Sequence, residues 1–165
     1  MTELVKNTNA LWESITTNLI EKNITISTME SCTSGLIASL ITNTPCASQI
    51  FKGSYVTYCN EAKIKQGVSA ETIKTFGVYS QETAIEMAKA CKKNYNTNIG
   101  IGVTGVLDRI DPNNVTITKN VYYAIVIDNR VICNSIIIPD DIVGRFERKL
   151  YVASAIGTTL SNFTK

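Results

Sequence analysis

Four side chains that can carry a nucleophile, Ser31-Cys32-Thr33-Ser34, stand between a β-branched run (Ile24-Thr25-Ile26) and apolar residues at helical spacing (Leu36, Ile37, Leu40, Ile41). A strand-to-helix junction leaves backbone N–H groups unpaired and carries the positive end of the helix dipole. A hydroxyl or thiol held there can attack an electrophile while nearby N–H groups receive the developing negative charge. The simpler reading of Ser31 is a helix N-cap, and spacing alone favours it. Further on, Tyr58 and Lys63 flank Asn60 on either side of a second strand-to-helix turn, close enough to share a site. A surface lysine near a half-buried tyrosine is the commoner outcome of such spacing. The chain has no histidine. That excludes Ser-His-Asp and Cys-His catalysis within one chain, and every histidine-bearing metal motif. A base working near neutral pH is then a carboxylate, a tyrosine, a lysine with a lowered pKa, or a water.

The elements that must position these groups follow from periodicity. Thr2 to Lys22 predicts an amphipathic helix with Leu4, Leu11, Ile15 and Leu19 on one stripe and Trp12 at the core edge. Ile24 to Thr28 predicts a first strand, and Cys32 to Thr42 a helix stopped by Pro45. Phe51 to Tyr58 reads as a second strand, with Gly53 marking a bulge or a close backbone approach. Asn60 caps a short helix closed by Gly67, Ser69 opens another ending near Gly77, and Ser80 starts a longer one. The alternating glycines of Ile99-Gly100-Ile101-Gly102-Val103 predict a strand with a helix packed tightly over it, followed by Thr104-Gly105. Residues 106–119 form the least regular segment, and a loop of that length in a compact domain is usually functional or mobile. Val121–Ile127 and Val131–Ile138 predict a hairpin, and Asp140 or Asp141 caps a last helix whose first turns present Arg145 and Arg148. Strands alternating with helices, then a hairpin, predict a three-layer α/β/α sandwich with a mixed, mostly parallel central sheet. Ligands of such sheets gather at the carboxyl ends of the strands, here Ser31, Tyr58 and Thr104.

Composition narrows the partners. The 165 residues suit one domain, 1–165, with no linker, internal repeat or low-complexity segment. A net charge of +2 with scattered basic residues gives no footprint for nucleic acid or an anionic membrane. No apolar run spans a bilayer and no signal-peptide core is visible, so a cytoplasmic location is expected. Five cysteines without a CxxC pair fit reduced thiols better than a disulfide framework or a zinc site.

The motifs resemble those of the CinA C-terminal domain family, whose stand-alone members include the nicotinamide-nucleotide amidases. Thr28-x-Glu30-Ser31-Cys32-Thr33-x-Gly35-Leu36 is similar to the family signature, which normally reads Glu-Ser-Cys-Thr-Gly-Gly. Phe51-x-Gly53-x-Tyr55-Val56-x-Tyr58-x-Asn60-x-x-Lys63 resembles the second block, extended by Gly67-Val68. Val78-Tyr79-Ser80-x-Glu82-x-Ala84-x-x-Met87-Ala88 resembles the third, Val103-Thr104-Gly105 the start of the fourth, and Arg145-x-x-Arg148 the fifth. The resemblance implies hydrolysis of the carboxamide of nicotinamide mononucleotide to nicotinate mononucleotide and ammonia. It implies Ser31 as nucleophile assisted by Tyr58 and Lys63. Substrate contacts would come from Glu30, Cys32, Thr33, Ser34, Gly35, Thr104, Gly105 and Arg145. No metal or organic cofactor is expected, and a homo-oligomer is.

Elementary chemistry supplies a mechanism for such a hydrolase. Serine needs a base to take its proton. Lysine can serve if burial and a nearby cation such as Arg145 lower its pKa. Tyr58 can relay the proton between Ser31 and Lys63, and the N–H groups of Cys32, Thr33 and Ser34 are oxyanion candidates. Glu30 can orient Lys63 or accept from the loop backbone. Cys32 is the competing nucleophile, since a helix N-terminus lowers a thiol pKa. Two departures stand out. Ser34 replaces a glycine, which is costly if its φ is positive. Val106-Leu107-Asp108-Arg109-Ile110-Asp111 and Thr116-Ile117-Thr118-Lys119 replace the family's Ile-Ala-Gly-Pro-Gly-Gly and Lys-Pro-Val-Gly, a candidate phosphate cradle. These departures favour an alternative: a catalytically silent or substrate-shifted relative that binds a nucleotide or a partner.

Overall fold

The computed structural model describes residues 2–107 and 120–164. Among them, the chain runs α1 (Glu3–Glu21), β1 (Ile26–Glu30), α2 (Leu36–Thr42), β2 (Phe51–Val56), α3 (Asn60–Lys65), α4 (Ala70–Phe76) and α5 (Gln81–Tyr95). It continues through β3 (Ile99–Gly105), β4 (Asn120–Ile127), β5 (Arg130–Ile137) and α6 (Arg145–Thr164). The strands form one sheet in the order β2-β1-β3-β4-β5. β1 pairs in parallel with β2 and β3, while β4 is antiparallel to both β3 and β5. Four of the five strands therefore run in one direction, and β4 alone runs against them.

The sheet is covered on both faces, which makes the three-layer α/β/α sandwich. On one face α1, α2 and α6 close over Ile26, Ile99, Ile101, Val103, Val121 and Ile125. Trp12 lies fully inside this layer, and its indole N–H donates to the Ala153 carbonyl at 3.1 Å, tying α1 to α6. On the other face α5 brings Met87 and Cys91 against Met29, and Ala84 and Ala88 against Ala124 and Val126. The glycines of β3 explain how close this helix comes. A Cβ at Gly100 would strike the Ala88 carbonyl, and one at Gly102 the Ala84 carbonyl. The strand under α5 has to be bare. Gly53 meets the first of its two expectations, since the β1–β2 register shifts between Ile26 and Ser27; what crowds it is the Tyr95 ring rather than a neighbouring backbone.

Several boundaries move from the sequence reading: β2 ends at Val56, short of Tyr58, and Asn60 opens α3 behind Cys59 rather than capping it. β1 extends to Glu30, so Ser31 follows the strand directly. α2 starts at Leu36 rather than Cys32, because Ser34 (φ 53°) and Gly35 (φ 88°) are left-handed and residues 31–35 form a turn. α6 starts at Arg145 rather than behind an Asp140 or Asp141 cap: Ile142 N–H turns back to the Pro139 carbonyl, and Gly144 adopts φ 99°. Among the described residues no helix is long and apolar enough to cross a membrane.

Candidate active site

Parallel register sets Glu30 beside Val56 of β2 and Val103 of β3, so the three strands end level. The ladder runs one residue further on each side. Thr57 N–H donates to the Glu30 carbonyl at 2.8 Å, and Ser31 N–H to the Val103 carbonyl at 3.0 Å. Main chain alone thus fixes Ser31 at the strand ends, where it is 5% exposed. From β2 the chain turns through Thr57–Cys59 into α3, and Lys63 folds back beneath the strand end. Its side chain is only 1% exposed. Nζ donates to the Thr57 carbonyl at 2.7 Å and lies 3.3 Å from Ser31 Oγ.

Burial holds the Lys63 amine below the ordinary lysine value of 10.5, against the smaller opposing pull of Cys59 and Cys32. Of the two causes expected for this shift, burial acts and Arg145 is not among the groups that lower it. Arg145 instead donates to the Tyr58 hydroxyl at 3.1 Å, and Tyr58 is 64% exposed. This pair ties the start of α6 to the end of β2 at the lip of the site. Lys63 reaches Ser31 directly, with no phenol between them.

Glu30 takes the second of its two expected roles. Its buried carboxylate accepts from the N–H groups of Gly35 (2.9 Å), Ile37 (3.2 Å) and Ala38 (2.9 Å). The hydroxyls of Thr33 (2.7 Å) and Thr28 (3.2 Å) complete the set. The positive end of α2 is therefore occupied by the protein's own carboxylate, and Thr33 is spent on holding it. Ser34 N–H is likewise committed, to the Ser31 carbonyl at 3.0 Å. Of the three oxyanion candidates, the N–H groups of Cys32 and Thr33 remain, and both lie where they favour negative charge on the Cys32 sulfur.

That sulfur is nonetheless no competitor to Ser31. Cys32 is buried in the layer of α1, α2 and α6, and burial, with Glu30 adding to it, pushes its thiol up to about 12. The expected lowering at a helix N-terminus is overturned because the helix begins four residues later and its dipole is already answered by Glu30. Thr104 is also fully buried, and its hydroxyl donates to the Val78 carbonyl at 2.9 Å, fixing the turn before α5. Gly105 pairs with Val121 in the ladder to β4. Val106 and Leu107, which stand where the family has Ile-Ala, are buried, and Leu107 joins the core. The remainder of the loop, 108–119, lies outside the described residues. Among those described, no group of three His, Cys, Asp or Glu side chains gathers as for a metal. The sequence reading passed over Thr57. Its contribution is a carbonyl, which every residue has, so no side-chain pattern marks it.

Comparison with known proteins relates the sequence and the fold to a family. The CinA C-terminal domain description matches residues 8–143. A CinA-like protein of Fervidobacterium nodosum is 51% identical over 89 residues, 53% of this chain and 22% of that protein. A CinA-like protein of Kosmotoga olearia is 49% identical over 96 residues, 57% of this chain and 23% of its own length. The chain thus matches less than a quarter of the length of these curated relatives. Its fold superposes on a competence/damage inducible protein of Agrobacterium tumefaciens with a TM-score of 0.86 at 30% identity, covering 96% of both chains. A competence or damage-inducible protein of Enterobacter asburiae shares the fold, with a TM-score of 0.88 at 19% identity over 96% of this chain and 98% of that one. Sequence blocks in order and a superposition along nearly the whole length lead to one conclusion: the chain belongs to the CinA C-terminal domain family.

Proposed function

We propose that this protein hydrolyses the carboxamide of nicotinamide mononucleotide, releasing ammonia and nicotinate mononucleotide. The observation that carries the reading is the 3.3 Å separation of Lys63 Nζ and Ser31 Oγ, two buried groups in a chain without histidine. A neutral Lys63 has a lone pair for the Ser31 proton while an N–H stays on the Thr57 carbonyl. As the proton crosses, Ser31 Oγ bonds to the amide carbon and the carbonyl oxygen takes the negative charge. The N–H groups of Cys32 and Thr33 receive it, an interaction worth about 3 kcal/mol per donor in such sites. The Lys63 ammonium then gives its proton to the departing nitrogen, which leaves as ammonia. Water, with Lys63 again as base, frees the acid from Ser31. Arg145, exposed at the lip beside Tyr58, is the donor for the substrate phosphate.

The test is ammonia release from nicotinamide mononucleotide by the purified protein, with Ser31→Ala and Lys63→Ala as controls. Both substitutions should abolish turnover, and kcat/KM of the parent should rise with pH along a limb below the ordinary lysine range. Absence of Ser31-dependent ammonia sinks this substrate. A second reading, a substrate-shifted or silent relative, is favoured by Asp108-Arg109-Ile110-Asp111 standing where the family has Gly-Pro-Gly-Gly. Tight nucleotide binding without turnover would decide for it.

A further inference from the structure

The Thr57 side chain is 2% exposed, and its hydroxyl has no hydrogen-bond partner within the described residues. The Thr8, Thr16 and Thr44 hydroxyls share this state, which costs on the order of 1–3 kcal/mol, and Thr57 is the one of the four whose carbonyl holds Lys63. The same residue anchors Lys63 through its carbonyl at 2.7 Å, and the amine stands 3.3 Å from Ser31 Oγ.

The proton count on Lys63 changes during the reaction. A neutral amine has two N–H donors and a lone pair: one donor goes to the Thr57 carbonyl, and the lone pair faces the Ser31 hydroxyl. Once Lys63 has taken the serine proton it carries three donors in a nearly water-free space. The Thr57 carbonyl and the Ser31 oxygen satisfy two. One N–H lacks an acceptor in either form, and that lack costs more once the amine is charged. We propose that Thr57 is a positioning residue for the Ser31–Lys63 pair: its carbonyl aims the amine, and its idle hydroxyl turns to accept the third N–H of the lysine in its cationic form. This rests on the reading of Lys63 as the base of Ser31. The titratable groups acting on Lys63 are the Cys59 and Cys32 thiols, and both favour the ammonium. Neither is altered by a change at Thr57.

The experiment follows the titration of Lys63 by carbon-13 NMR of ε-labelled lysine, its signal assigned by loss in Lys63→Arg. Thr57→Val keeps the shape and the carbonyl but removes the acceptor. Its Lys63 midpoint should fall by about half to one pH unit relative to the parent, and Thr57→Ser should restore it. Thermal stability of Thr57→Val should hold or rise, which separates positioning from a structural role. Should Thr57→Val fail to fold, Thr57→Ala and Thr57→Ser must show the same gap in midpoint. Equal midpoints with and without the hydroxyl overturn the proposal. The readout needs no substrate, so it is separable from the amidase reading. A shifted midpoint without ammonia release rejects only the substrate, and an active enzyme with an unshifted midpoint rejects only the role of Thr57.

Discussion

Ser34 carries a local cost at the turn that holds Ser31. Its φ of 53° lies in the left-handed region, where an L side chain crowds its own backbone. What its hydroxyl gains there is a 3.3 Å hydrogen bond donated to the Ser31 carbonyl. Ser34→Gly should therefore stabilise the protein by about 1 kcal/mol, read as a higher urea midpoint. An unchanged or lower midpoint would show that the hydroxyl offsets the strain. The neighbours Ser31 and Cys32 show how a single step along the chain decides chemistry. One side chain meets a buried amine, and the other enters the apolar layer, where its thiolate is suppressed.

Between elements, the tightest constraint is α5 on β3. At Gly102 an added Cβ would meet backbone on the helix side, including Ala88 N at 2.5 Å, so the helix itself must shift. Gly102→Ala should cost roughly 1–3 kcal/mol, and a melting curve measures it. The adjacent Val103 carbonyl holds Ser31 N–H, so the same substitution should weaken the active-site geometry along with the fold. This packing is legible in the residues themselves, because glycines alternating in a strand leave one face empty for a helix. So is the layer order, since a parallel β1–β2 pair brings residues that follow each strand to one edge, Ser31 and Lys63 among them. The start of α2 is not legible: Glu30 reaches forward to cap it from the end of β1, an interaction across a turn that local spacing does not encode. The start of α6 is hidden for a related reason, as two aspartates imitate a cap ahead of a turn that Gly144 completes.

For the whole molecule, buried thiols set the alkaline limit. Burial raises Cys32 to about 12 and Cys91 to about 11 from an ordinary 9.0. The folded chain keeps protons that the unfolded chain releases, so this stability is complete below pH 9.0 and is lost as pH climbs. Lys63 works in the opposite sense, because its lowered value means that the unfolded chain holds the extra proton up to 10.5. Above 10.5 the lysine no longer contributes a slope, and the thiols act unopposed by it. Urea midpoints should then fall with pH, by up to about 1.4 kcal/mol per pH unit for each thiol, and Cys91→Ala should flatten the fall. A midpoint that stays level there would show that neither thiol remains protonated in the fold. Ser31, Thr57 and Lys63 also share one origin: all three come from the single β1–α2–β2–α3 stretch, whereas Arg145 arrives from the far end of the chain. One contiguous part of the chain thus places Ser31 against Lys63, while the wall that carries Arg145 is set by a separate element. A change in the helix that carries Arg145 can therefore reshape the rim without disturbing the contact between Ser31 and Lys63.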